Sequence, residues 1–127
     1  MSKQEIRTEN APQPGGAYSQ GLRASGTLVY TAGVGPMDPQ TQTIVGTTIE
    51  EQTRQVLRNL AAILEEAGLT MDHVVKTSVF LQDLQRDFAA FNRVYQEFFS
   101  PPFPVRTTVG ATLNNILVEI DCVAVAD

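Results

Sequence analysis

Ile116-Leu117-Val118-Glu119-Ile120-Asp121-Cys122-Val123-Ala124-Val125 is the stretch on which the fold turns. Side chains alternate across a strand with a period of two. Val118, Ile120, Cys122 and Ala124 therefore share one face, and Leu117, Val123 and Val125 share the other with Glu119 and Asp121. A strand that is apolar on both sides needs two covers. The question for the rest of the chain is what supplies them.

Working backward, Val105 to Ala111 reads as the preceding strand, joined through Asn114-Asn115. Before it, Leu84 to Phe99 reads as a helix with the stripe Phe88, Phe91, Val94, Tyr95 and Phe98, taken as core. Ser100-Pro101-Pro102 ends that helix. Val74 to Leu81 is short and β-branched, hence a strand. Thr48-Ile49-Glu50-Glu51 matches a capping box and opens an earlier helix. Its apolar stripe is Ile49, Val56, Leu60, Ile63, Leu64 and Ala67, with Glu50 and Arg54 paired outside and Gly68 as its stop.

Toward the N-terminus, Ile6 to Thr8 reads as an edge strand and Asn10 to Gly16 as a loop. Leu22 to Ala24 and Thr27 to Val34, parted by Ser25-Gly26, read as a tight hairpin. Pro36-Met37-Asp38-Pro39 is a turn cluster. The order β-β-β-α-β-α-β-β is that of an α+β domain. Two helices cover only one face of such a sheet, so a second copy of the chain is the simplest cover for the other.

Length and composition bound the function. The 127 residues suit one domain over 1–127, with 43 % hydrophobic and 18 % charged residues. Net charge is −5, and the nine basic residues are scattered, which argues against a nucleic-acid or anionic-membrane surface. The start, Met1-Ser2-Lys3-Gln4-Glu5, has no apolar signal core, and no run approaches a membrane span. A single Cys122 points to a reducing cytoplasm, and one His with one Cys makes no metal cluster. Glycine-rich phosphate loops of standard spacing are absent.

Two residues stand out chemically. Arg106 opens a strand after the proline-rich loop Pro101 to Pro104 and can clamp a carboxylate in a two-pronged hydrogen bond, although most arginines are solvated ion-pair partners. Glu119 is a mid-strand acid able to orient or deprotonate water, with Asp121 on the same face. Tyr18 offers a ring wall and a hydroxyl, or a plug. Asn92 follows Phe91 on a helix, where an exposed position is the ordinary reading. His73 reads as a loop-edge residue, Cys122 as core, and Ser19 lacks the His and Asp company of a triad.

Taken in order, several pieces resemble one family over essentially the full length. They are Asn10-Ala11-Pro12, Ala17-Tyr18-Ser19-Gln20, Gln52 to Leu60, Val74 to Leu81, Phe91 to Phe99, Phe103-Pro104-Val105-Arg106 and Val118-Glu119-Ile120. The chain resembles the RidA (YjgF-type) reactive-intermediate deaminases. The resemblance implies a chorismate-mutase-like α+β domain with a mixed six-stranded sheet and two helices on one face. It also implies a homotrimer around a central barrel, with sites in the clefts between subunits.

The implied activity is that of a 2-iminobutanoate/2-iminopropanoate deaminase: hydrolysis of 2-imino and enamine acids to 2-keto acids and ammonia, without metal or cofactor. The resemblance puts the carboxylate clamp on Arg106 and the water-positioning acid on Glu119. It places Tyr18, Ala32, Gly33, Asn92 and Thr108 with Arg106 around the substrate. The chain departs from the family at Ala32 and Val34, where serine and glutamine are usual, at Ala17 for proline and at Thr108 for cysteine. Gly110 stands for a larger side chain, a change that widens the pocket. Two other readings stay open: a non-catalytic binder of small carboxylates, and an endoribonuclease or translation inhibitor.

Overall fold

A computed structural model describes residues 3–127; Met1 and Ser2, part of the polar start read above, lie outside the described residues. The elements are β1 (Gln4–Ile6), β2 (Gly21–Arg23), β3 (Thr27–Tyr30), α1 (Ile49–Glu66), β4 (Val74–Leu81), α2 (Leu84–Tyr95), β5 (Val105–Gly110) and β6 (Val118–Ala126). One-turn 3₁₀ helices, Met71–His73 and Gln96–Phe98, lead into β4 and extend α2. The class is α+β, with two helices, as the sequence implies.

The six strands do not form the single sheet expected of them. β1 and β2 make a separate antiparallel pair, and the other four run in the order β3-β6-β4-β5. Within the four, β4 and β5 are parallel and the remaining pairs antiparallel. The expected hairpin across Ser25-Gly26 is therefore replaced by a hand-over between sheets. Gly26 makes it possible: its φ of +133° suits glycine alone, and a Cβ there would overlap the Ala126 carbonyl. β6, the strand with two apolar faces, occupies the sheet interior between β3 and β4.

Helix α1 begins at the expected capping box. The Glu51 N–H donates to the Thr48 hydroxyl, and the Glu51 carboxylate accepts from the Thr48 N–H. Its buried stripe is Ile49, Thr53, Val56, Leu57, Leu60 and Leu64. Ile63 and Ala67 fall outside it and are exposed, because the contact face tilts toward Thr53 and Leu57. The expected Glu50–Arg54 pair gives way to bridges toward α2 and its extension: Arg54 to Glu97 at 2.7 Å and Arg93 to Glu50 at 3.8 Å. These exposed pairs each contribute about 0.2–1 kcal/mol.

Both helices cover one face of the four-stranded sheet. There Leu57, Leu60, Leu64, Phe91 and Tyr95 meet Val79, Leu81, Val118 and Ile120, all fully buried. Burying each large aliphatic side chain stabilises the fold by about 1.5–3 kcal/mol. The Tyr95 hydroxyl lies 2.9 Å from the Thr77 hydroxyl, which satisfies both inside the core. Phe88, expected in this core, is 39 % exposed at its margin. The opposite face is uncovered in the single chain, where Tyr30 is 68 % and Leu28 51 % exposed. Among the described residues no helix is long and apolar enough to cross a membrane.

Candidate functional site

β5 is an edge strand laid parallel to β4, with Arg106 beside Thr77, Thr108 beside Val79 and Gly110 beside Leu81. Neighbours in a ladder point to the same face. Thr77 bonds Tyr95 of α2, so Arg106, Thr108 and Gly110 line the helix-covered side of β5. There the Arg106 guanidinium rests among three rings. Its Cζ is 4.8 Å from the Tyr95 centroid, 5.3 Å from Tyr18 and 5.5 Å from Phe91. Ring faces attract a cation and hold its plane.

Among the described residues no carboxylate lies within ion-pair reach of Arg106. Its Nη1 is buried and makes no hydrogen bond. Burial pushes its pKa down from the ordinary value, while Tyr95 and Tyr18 push the other way. Burial lifts the Tyr95 pKa to about 12, against the opposing pull of the Thr77 hydrogen bond and the Arg106 charge. A buried donor is costly to leave unmatched, so Nη1 gives this half-buried cation a place to receive an anion.

A cavity of about 170 Å³ opens onto that cation, lined by Tyr18, Phe88, Arg106 and Thr108. The Thr108 hydroxyl and the Asn92 side-chain oxygen are two further buried polar atoms without partners. Asn92 stands one helical turn from Phe88 on α2, on the stripe that holds Phe91 and Tyr95. Among the described residues, three of the four buried polar atoms without a partner thus belong to residues that the resemblance places around a substrate.

Tyr18 is held by the residues around it. The Ser19 hydroxyl donates to the Phe103 carbonyl and the Ser19 N–H to the Pro104 carbonyl. Gln20 grips Thr8 and Pro12 in the preceding loop. The Ala17-Tyr18-Ser19-Gln20 segment is thereby stapled to the loop that launches Arg106. Ser19 serves as this staple, and His73 caps Thr70 through its ring nitrogen at 3.0 Å.

Glu119 sits elsewhere. It pairs with Phe80 on β4, out of phase with the buried Val79 and Leu81, and so projects from the uncovered face. Beside it the chain makes a bulge. Thr31 pairs with Cys122 and Val34 with Ile120, so Ala32 and Gly33 together oppose Asp121 alone. A Cβ on Gly33 would stand 2.5 Å from Glu119 Oε2. Gly33 leaves the room that the carboxylate fills. The expected residues therefore form two half-sites: Tyr18, Asn92, Arg106 and Thr108 on the helix side, and Ala32, Gly33 and Glu119 on the open side. Arg106 and Glu119 do not converge within one chain.

The sequence did not identify Phe88 as a wall of the cavity, nor Phe91 and Tyr95 as the bed beneath Arg106; all three read as core. The signal was their common stripe with Asn92. Cys122 is buried as expected, and burial raises its thiol to about 11. Among the described residues no group of three or more His, Cys, Asp or Glu is placed to hold a metal ion.

Residues 8–126 match the family described as endoribonuclease L-PSP. A RutC family protein of Pyrococcus abyssi is 44 % identical over 98 % of both chains. A 2-iminobutanoate/2-iminopropanoate deaminase of Dermatophagoides farinae is 39 % identical over 98 % of both. The crystal structure of E. coli TdcF with bound serine superposes with a TM-score of 0.73 at 36 % identity, covering 98 % of this chain and 99 % of that one. With a match spanning nearly all of its length, and with two helices packed on one face of a mixed sheet, the chain belongs to the endoribonuclease L-PSP family, the family of the RutC and RidA proteins.

Proposed function

We propose that this protein hydrolyses 2-imino and enamine carboxylic acids to 2-keto acids and ammonia. The observation that carries the reading is Arg106: a half-buried cation, bedded on aromatic rings, with no acid partner among the described residues and one buried, unfilled hydrogen-bond donor. A substrate carboxylate meets that need with a bidentate pair. The carboxylate in turn fixes the adjacent C=N carbon, so orientation is supplied by binding. Thr108 and Asn92 offer a hydroxyl and an amide oxygen to the imine end.

The reaction also needs a water directed at that carbon. Glu119 supports this role as a carboxylate on the uncovered face, beside the bulge that Gly33 makes room for. It accepts a proton as water adds to C=N, and the proton returns to nitrogen as the C–N bond breaks and ammonia leaves. The products are the 2-keto acid and ammonium. Because Glu119 and Arg106 occupy opposite faces of one chain, the complete site is formed between copies. We propose a homotrimer in which the uncovered faces, with Leu28 and Tyr30, meet and bring Glu119 of one chain to Arg106 of the next.

The test is direct. An amino-acid oxidase generates 2-imino acids in situ, and the protein should accelerate release of keto acid and ammonia. Arg106→Met should abolish that acceleration while leaving the fold intact. Full activity in Arg106→Met refutes the clamp. Binding of keto acids without any turnover would instead mark a carboxylate binder, the reading to which the serine held by E. coli TdcF lends weight.

A further inference from the structure

The helix-facing stripe of β5 continues past Arg106 and Thr108 to Gly110. Alternate residues on a strand stand about 6.6 Å apart, so the stripe runs about 13 Å from Arg106 to Gly110. α2 accompanies it: Tyr95 and Phe91 lie at the Arg106 end, Phe88 at Thr108, and Leu84 at Gly110. A second cavity, of about 410 Å³, lies along this far half between Leu84, Gln85, Phe88, Ala89 and Thr108. It shares Phe88 and Thr108 with the cavity over Arg106. Gly110 faces Leu84, one of the residues lining this cavity, and a Cβ there would stand 3.4 Å from Leu84 Cβ.

We infer that this groove receives the side chain of the substrate, and that the protein prefers 2-imino acids with a bulky apolar side chain, branched or aromatic, over the alanine-derived one. The inference rests on the proposed deaminase reading, and on continuity of the groove with the carboxylate anchor. With the carboxylate on Arg106, the carbon bearing the imine lies near Thr108. Its substituent then faces a channel of Leu84, Phe88 and Ala89, with Gln85 as its one further polar lining residue besides Thr108. A volume of 410 Å³ is in the range of small-molecule sites, and the partly exposed Phe88 ring gains cover when the groove is filled. The alanine-derived methyl group leaves the groove empty, so it forgoes the burial that a larger group obtains.

The experiment compares kcat/KM for imines made in situ from leucine, phenylalanine and alanine. The leucine- and phenylalanine-derived imines should be favoured by at least about tenfold, the scale on which an apolar pocket discriminates. Gly110→Met, which fills the groove, should cut the leucine-to-alanine ratio about tenfold, and the smaller Gly110→Ala should cut it less. Phe88→Ala should lower the same ratio by removing a wall. A wild-type ratio at or below one overturns the inference, as does a ratio unmoved in folded Gly110→Met.

If no imine is turned over, the deaminase reading fails but the groove is still decided by equilibrium binding. Calorimetry with 4-methyl-2-oxopentanoate and pyruvate then supplies the answer. Tighter binding of the branched acid by at least about tenfold upholds the groove; equal affinity, or no binding of either, overturns it.

Discussion

The opposite-face placement of Arg106 and Glu119 makes a numerical prediction about mixtures of dead proteins. Arg106 is on β5 and Glu119 on β6, with β4 between them. Adjacent strands lie about 4.8 Å apart, and Arg106 pairs with Thr77 while Glu119 pairs with Phe80, three residues along β4, so the two backbone positions are about 14 Å apart and the side chains leave opposite sides of the sheet. No rotamer change joins them through the sheet. A site assembled between neighbours takes its arginine from one chain and its glutamate from the next. Arg106→Met and Glu119→Gln should each be inactive alone.

In a randomly mixed ring made from equal amounts, a site is intact only when its arginine comes from a Glu119→Gln chain and its glutamate from an Arg106→Met chain. The two chances are one half each, so about one quarter of the sites should work in a closed head-to-tail ring. The assay is imine hydrolysis after the two differently tagged variants are unfolded and refolded together, with tag pull-down proving that mixed rings formed. No recovered activity in proven mixed rings would show that each site draws both residues from one chain, and would refute the geometry. A monomer by light scattering would refute it as well.

Two further outcomes follow from the described contacts. Gly33→Ala should lower kcat about a hundredfold with keto-acid affinity at Arg106 little changed, because a Cβ 2.5 Å from Glu119 Oε2 forces the carboxylate about 1 Å aside; kinetics and calorimetry on the one variant check both halves, and an unchanged kcat would remove Glu119 from the chemistry. Stability should fall in alkali, because burial raises Tyr95 from 10.0 to about 12 and Cys122 from 9.0 to about 11: the folded state holds both protons where the unfolded chain releases them, so this stabilisation is complete below about pH 9 and is lost as pH climbs through 11 and 12. Denaturant melts across that window should show a declining midpoint, and a flat one would contradict the buried placement of both groups.

Local features of the fold were readable in the chain, and long-range ones were not. The capping box at Thr48 and Glu51 and the alternation of Val118, Ile120, Cys122 and Ala124 depend on neighbours a few residues away, and both appear as expected. Ser25-Gly26 looked like a hairpin because its turn chemistry is local. What requires the glycine is the close approach of the Ala126 carbonyl, a hundred residues along, which no local pattern reveals. Phe88 and Ile63 carry apolar side chains at helical spacing, yet the tilt of each helix on the sheet leaves them at the rim. Arg106 and Glu119 were legible as residue types and by resemblance. That they face away from each other depends on β4 lying between their strands, a fact of topology.

The unpaired polar atoms of Asn92, Arg106 and Thr108 also tie ligand binding to stability, because a ligand that pairs with them binds the folded chain and not the unfolded one. A ligand at a hundred times its Kd adds about 2.7 kcal/mol to the folded state. Melting temperature then becomes a measure of what the solution contains, and acetate or sulfate in an ordinary buffer competes for the same cation as a substrate carboxylate. Thermal shift in a buffer without small oxyanions, followed by titration with individual keto acids, turns that added stability into a search for the natural ligand.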